Sequence, residues 1–293
     1  MLPRVLLVVA AWFAVGGALM LEQRRAGPRS ARTGWPKYAV YFALVVALLV
    51  LADAGRIPFI AAAAGILAAA LAEFFRAAPL TRAAALPLVL AGLLVAGAGL
   101  AGGPEVLYGA AVAAALVTLA AGALTRDPAT GGARAAWGVT GLLAVATPGA
   151  HLLLLAGDTE RFALFAFLFI VVAAGDAFAE LVGRRWPAGR GIVPVSPGKT
   201  ATGLAGGAAA AVLVALTLGF LRPAWSPAQV VAAGLALAVA GDLGDLVASS
   251  MKRAFGIKDF GAWLPGQGGA LDRFDSLLFA AAPFYWLTRG WQS

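Results

Sequence analysis

The chain has 293 residues, of which 61% are apolar and only 12% charged, and its mean hydropathy is +0.88, far from the averages of a soluble globular domain. It contains no Cys and a single His, His151, which excludes disulfides, thiolate metal sites, a thiol nucleophile and any multi-histidine centre. Chemistry is left to carboxylates, lysines, arginines, hydroxyls and backbone amides, a set that favours Mg²⁺ and phosphate ligands.

Apolar stretches near the roughly 20 residues needed to span a bilayer predict ten membrane helices and an all-α polytopic bundle. They run at approximately 2–20, 38–53, 57–75, 83–101, 105–124, 135–156, 161–182, 201–221, 229–250 and 274–288. The first stretch, "MLPRVLLVVAAWFAVGGALM", has the look of a signal sequence. Because apolar stretches recur to the C-terminus, it is read as a retained helix. Sorting the 22 Lys and Arg into the loops between these helices puts seventeen into alternate loops, from Arg24 to Arg273. Arg4, Arg56, Arg161, Arg222 and Arg289 fall elsewhere. By the positive-inside rule the basic loops face the cytoplasm and both termini lie outside, as in a bacterial inner membrane. The formal charge of +8 therefore reads as topology and attraction to anionic lipid, and no nucleic-acid partner is expected.

Residues 1–156 form an N-terminal membrane region of Ala/Leu/Val helices with short Gly/Pro turns. Glu73, in the last turn of its helix beside Arg76, reads either as a snorkelling interfacial acid or as the edge of a polar cavity. His151 reads as interfacial.

Residues 157–293 carry the chemistry, in a second membrane region with cytoplasmic loops at 183–200 and 251–273. "GDAFAELVGRRW" sets Asp176, Glu180 and Gly183 on one helix face. "GDLGDLVASSMKR" does the same for Asp242, Asp245 and Ser249. Carboxylates at membrane depth need a cavity, a cation or a basic partner, and buried ion pairs stapling the bundle are the alternative. In "SPGKTATG", Thr200 or Thr202 is placed to cap the next helix, beside Lys199. In "SSMKRAFGIKDFGAWLPGQGGALDRFDS", Gly266, Gly268 and Gly269 allow close approach to a ligand. Asp259, Asp272 and Asp275 there can hold hard cations, while Lys252, Arg253, Lys258 and Arg273 can neutralise a polyphosphate. Carboxylates, cations and glycines at a membrane interface suit metal-assisted phosphoryl or nucleotidyl transfer to a lipid.

This stretch resembles the C-terminal signature of CDP-diacylglycerol synthases (phosphatidate cytidylyltransferases), approximately S-x-x-K-R-x4-K-D-x-G-x-x-x-P-G-H-G-G-x-x-D-R-x-D. The matching residues are Ser249, Lys252, Arg253, Lys258, Asp259, Gly261, Pro265, Gly266, Gly268, Gly269, Asp272, Arg273 and Asp275. "GDL" at Gly244, "SPGKT" at Ser196, and Asp176, Ala179, Gly183 and Arg184 are similar to further motifs of the family in the family's order. Gln267 stands where the signature has histidine, Thr202 and Ala248 stand where it usually has acids, and Glu180 replaces a tyrosine. The resemblance covers roughly the C-terminal 120 residues.

It implies conversion of CTP and phosphatidic acid to CDP-diacylglycerol and pyrophosphate, with Mg²⁺ as cofactor. Asp259, Asp272, Lys258 and Arg273 are the catalytic candidates. Asp245, Asp259, Asp272 and Asp275 are the metal candidates. Ser196, Lys199, Ser249, Lys252, Arg253, Gln267, Gly268 and Gly269 are the substrate-binding candidates. Three other readings stay open: a transferase or kinase for another lipid phosphate or isoprenoid acceptor, an ion-coupled carrier, and a catalytically idle paralogue. Ala- and Gly-rich helix faces pack equally well within or between chains, so a homodimer is compatible with the sequence.

Overall fold

The computed structural model describes residues 1–26, 34–262 and 268–291, and its regular elements are helices. They are α1 (Leu2–Ala26), α2 (Gly34–Ala54), α3 (Arg56–Ala77), α4 (Arg82–Ala123), α5 (Pro128–Gly141), α6 (Thr147–Leu155), α7 (Arg161–Arg185), α8 (Ala201–Thr217), α9 (Pro227–Ala254) and α10 (Ala270–Gly290). A π turn over Leu142–Ala146 links α5 to α6, so Thr130–Leu155 runs as one apolar stretch.

Among the described residues six helical stretches are long and apolar enough to cross a membrane, and the chain is an integral membrane protein. The difference from the ten expected spans has local causes. α4 counts once although it holds two predicted spans. The apolar parts of α2 and α8, Tyr38–Ala54 and Ala201–Thr217, are short. α10 opens with Asp272, Arg273 and Asp275, which lower its hydropathy. Within α4, Gly103 has φ +85°, a left-handed conformation that glycine adopts without strain. A Cβ on Gly99 would sit 2.9 Å from that of Leu107, whereas a straight helix separates residues eight apart by about 12 Å. The chain therefore reverses at Gly103, and the two halves of α4 pack as a hairpin.

α7 is the centre of the bundle. From Leu164 to Val172 every residue is buried, as expected of a helix apolar on all sides, and α1, α2, α8, α9 and α10 pack around it. Its contact with α8 runs through small residues. A Cβ on Gly207 would lie 2.8 Å from that of Ala179, and one on Gly203 would lie 2.8 Å from the Ala179 carbonyl. Close backbone approach of this kind holds membrane helices together by van der Waals packing. The Ala/Gly pattern of 201–211 is thus an interface.

Contacts sort by the two ends of the bundle. At one end α2, the end of α3, the loop before α8 and the start of α10 meet. At the other, Arg222 pairs with Glu160 at 2.6 Å and Trp225 packs edge-on against Trp291. His151 lies near that second end but is fully buried. Its Nδ1 is 2.8 Å from the Thr147 carbonyl, its Nε2 is 3.1 Å from the Tyr108 hydroxyl, and Trp286 donates to Tyr108. His151 is thus buried behind Tyr108 and Trp286, both exposed, and is joined to the surface through them.

Candidate active site

Thr200 caps α8: its hydroxyl accepts from the Gly203 N–H at 2.9 Å. This fixes the chain just before it, so that Lys199 reaches across to α9. Its ammonium lies 2.7 Å from Asp242 and 2.9 Å from Asp245. Asp242 and Asp245 are three residues apart on one helix face, and their carboxylates converge on one cation. Burial works against the Lys199 charge, but the two carboxylates outweigh it and raise its pKa above the ordinary lysine value. Asp176 of α7 stands within electrostatic reach of Lys199, Asp242 and Asp245, and a Cβ on Gly241 of α9 would lie 3.8 Å from its Oδ1 and 3.7 Å from the Ser276 Cβ. Asp275 is buried, accepts from the Ser276 N–H at 2.7 Å, and adds a fourth carboxylate beside Asp245 and Lys252.

The loop between α9 and α10 is shorter than the sequence reading gave. α9 continues through Lys252 and Arg253 to Ala254, and α10 begins at Ala270, so Asp272 and Arg273 lie in its first turn. Asp272 explains the early start. One carboxylate oxygen accepts from the N–H groups of Phe260 (2.7 Å), Gly261 (3.3 Å) and Gly269 (2.9 Å), while the other meets Lys252 at 3.1 Å. A carboxylate at a helix N-terminus is favoured by the free N–H groups and the dipole. Gly268, at φ +81°, would place a Cβ 2.8 Å from this carboxylate, so no other residue fits without displacing it.

Glu73 completes the loop from α3. Only 2% exposed, it accepts from the N–H groups of Ala270 (3.0 Å) and Leu271 (2.8 Å). Its place is neither of the two expected from sequence, since it is a buried carboxylate fastening the start of α10. Its signal in the sequence was an acid in the last turn of an apolar helix followed directly by Phe74 and Phe75, which are both fully buried.

Of the residues singled out by sequence, Lys199, Asp245, Asp275 and Lys252 come together, with Asp176 and Asp242 beside them. Asp272 joins them through Lys252. Arg273 stacks on Tyr41 of α2 at 5.5 Å, and Ser249 is buried. Ser196 lies in the turn before Lys199 and accepts from its N–H at 3.0 Å. Arg253, Lys258 and Asp259 are exposed. Gln267, with Pro265 and Gly266, lies outside the described residues. Glu180 pairs with Arg184 one turn on, with both side chains 61% exposed, a pairing worth little in itself. Among the described residues no three acidic or histidine side chains form a metal cage on their own. The Asp242 and Asp245 pair nonetheless suits Mg²⁺, which takes one or two carboxylates and completes its shell with water and substrate phosphates.

Beside the cluster, a cavity of about 360 Å³ opens between α1, α2 and α7, with Asp176 and Arg273 on its wall.

Comparison with known proteins places this architecture. The chain is 41% identical over 150 residues to a phosphatidate cytidylyltransferase of Brucella abortus, covering 51% of this chain and 56% of the relative. It is 40% identical over 124 residues to a phosphatidate cytidylyltransferase of Staphylococcus epidermidis, covering 41% and 45%. It is 39% identical over 126 residues to the uncharacterized protein YnbB of Escherichia coli, covering 43% and 42%. The matches span about half the length of these curated relatives. The model of the cytidylyltransferase family matches residues 36–290, which take in α3 to α10 and nearly all of α2, and the chain belongs to that family.

Proposed function

We propose that the protein transfers a cytidylyl group from CTP to phosphatidic acid, giving CDP-diacylglycerol and pyrophosphate. The observation that carries this reading is the convergence of Lys199, Asp242 and Asp245 beside Asp176, Asp275 and Lys252 at one end of a membrane bundle. An oxygen of the lipid phosphate monoester attacks the α-phosphorus of CTP, the bond to the β-phosphate breaks, and pyrophosphate leaves with that electron pair. Such a step needs positioning and charge neutralisation more than a covalent nucleophile.

Asp242 and Asp245 are the residues that would hold Mg²⁺, which would neutralise triphosphate charge. Lys199, Lys258, Arg253 and Arg273 bind phosphates. Asp272 and Glu73 act by shape: they hold the α9–α10 loop so that Lys252 and the backbone of Gly268 and Gly269 face the nucleotide. Asp259, exposed on the same loop, is placed for the solvated face of the nucleotide. The site lies on the cytoplasmic side, in keeping with the seventeen basic residues of the alternate loops. The short α2, α8 and α10 and both halves of α4 also cross the membrane.

The test is pyrophosphate release by purified protein in detergent with CTP, Mg²⁺ and phosphatidic acid. Release that needs all three components and is lost in Asp245→Asn supports the reading. Bound CTP without release, or release only with another lipid phosphate, overturns it.

A further inference from the structure

The cavity between α1, α2 and α7 meets the site just described at Arg273 and Asp176 and extends away from it. Its deep walls are apolar: Val9, Trp12 and Phe13 of α1, Val45 of α2, Ile170 and Ala174 of α7. Its other end is polar, with Asp176, Glu180, Arg184 and Arg273. That polar end is the cluster end of the bundle, because a Cβ on Gly241, next to Asp242, would lie 3.8 Å from Asp176 Oδ1, and Asp176 is within electrostatic reach of Asp245 and Lys199. The lining runs along α1 from Val9 to Met20, about 16 Å at 1.5 Å per residue, close to one leaflet of a hydrocarbon core roughly 30 Å thick. At about 360 Å³ it falls in the range of small-molecule sites, roughly 300–1,000 Å³.

An amphiphile with one charged end and one apolar chain matches this polarity and depth. Resting on the transferase reading above, we infer that the groove holds an acyl chain of the phosphorylated lipid acceptor, its phosphate toward Arg273, and that α1 sets which chains fit. α1 lies before residue 36, where the family match begins, so this wall is a feature of the present chain beyond the family's matched core. It is pinned in place. Trp12 donates to Thr217 of α8 at 3.2 Å and meets Phe178 edge-on at 5.7 Å, and the Tyr38 hydroxyl donates to the Phe13 carbonyl. Ala174, partly buried on the α7 side, leaves the room that a larger side chain would fill.

Phosphatidic acid carrying a diazirine in one acyl chain, irradiated with the full-length protein in detergent, tests this directly. The label is expected on peptides of α1 and α7 and should be displaced by unlabelled phosphatidic acid. In parallel, Ala174→Trp is expected to lower kcat/KM for 16-carbon chains relative to 6-carbon chains at least about tenfold, the scale on which apolar pockets discriminate. If that variant does not fold, Phe13→Ala, which only removes atoms, should shift the same ratio by about threefold or more. Label confined to other helices, or a chain-length ratio unchanged in the folded variant, overturns the inference. If the wild type transfers nothing, the transferase reading fails, and the labelling still decides where the lipid chain lies.

Discussion

At the scale of single residues, Lys199 and Asp245 carry the most weight. Lys199 is 17% exposed, and its partners Asp242 and Asp245 are 23% and 33% exposed. Breaking a fully buried pair costs roughly 3–5 kcal/mol. Partial exposure lowers this, so Lys199→Met is expected to cost about 1–3 kcal/mol, read as a lower thermal midpoint in detergent without Mg²⁺. The pH dependence has a definite sign. A lysine whose folded pKa is raised contributes stability that is complete below its unfolded value, 10.5, and is lost only as pH rises through the higher folded value. The Lys199→Met deficit should therefore stay constant from about pH 6 to 9, and a deficit that fades across that window would show that the ion triad is not its source. Asp245→Asn keeps shape and removes charge. Its kcat is expected to fall about 100-fold or more with a raised Mg²⁺ requirement, and unchanged Mg²⁺ dependence would remove Asp245 from the proposed metal pair.

At the scale of elements, α3 and α10 are joined by one carboxylate. Glu73 accepts two backbone N–H groups from residues 197 and 198 positions along the chain, and hydrogen bonds to a charged group contribute roughly 1.5–3 kcal/mol each. Gly261 and Gly269 both lie against that carboxylate, and a Cβ on either would overlap it. Glu73→Ala is therefore expected to lower activity by loosening the α9–α10 loop, although Glu73 touches no substrate. Gly269→Ala should do the same by pushing Glu73 aside. Because both act through one contact, the double variant should fall well short of the sum of the single effects, and strict additivity in the melting data would separate them. The sequence showed the acid and its odd position but not its partner, because a pairing between α3 and α10 depends on how distant helices pack. It showed the chemistry carried by the "SPGKT" and "SSMKR…DRFDS" stretches, since residue type and local spacing, at the end of α9 and the start of α10 above all, are fixed by the chain itself. Helix ends were harder to read. Lys252 and Arg253, and then Asp272 and Arg273, look like loop by charge, yet the caps of Asp272 and Glu73 draw the last two into α10.

At the scale of the whole molecule, the alternation of basic loops was legible because it depends only on the order of the helices. The groove walled by α1 was not, because apolar residues at its lining positions look like any lipid-facing surface. The same alternation makes the orientation testable. The chain has no Cys, so a single introduced cysteine reports one location without background. Arg190 lies exposed in the loop before α8, at the end that gathers Lys199, Glu73 and Arg273. Thr159 lies exposed between α6 and α7, at the end marked by the Arg222 and Glu160 pair. If the positive-inside rule sets this topology, a membrane-impermeant maleimide added to intact spheroplasts should label Thr159→Cys and spare Arg190→Cys until the membrane is opened. The reverse pattern would put the acidic cluster outside, away from cytoplasmic CTP, and would end the transferase reading even if nucleotide binding in detergent were intact. Labelling of both before lysis would mean that a predicted span between them does not cross, with α7 the helix in question. α7 is buried from Leu164 to Val172 and carries Asp176 toward its end. An uncrossed α7 would leave that apolar run and the lipid groove without a bilayer to align with, so this labelling pattern bears on the site as directly as on the topology.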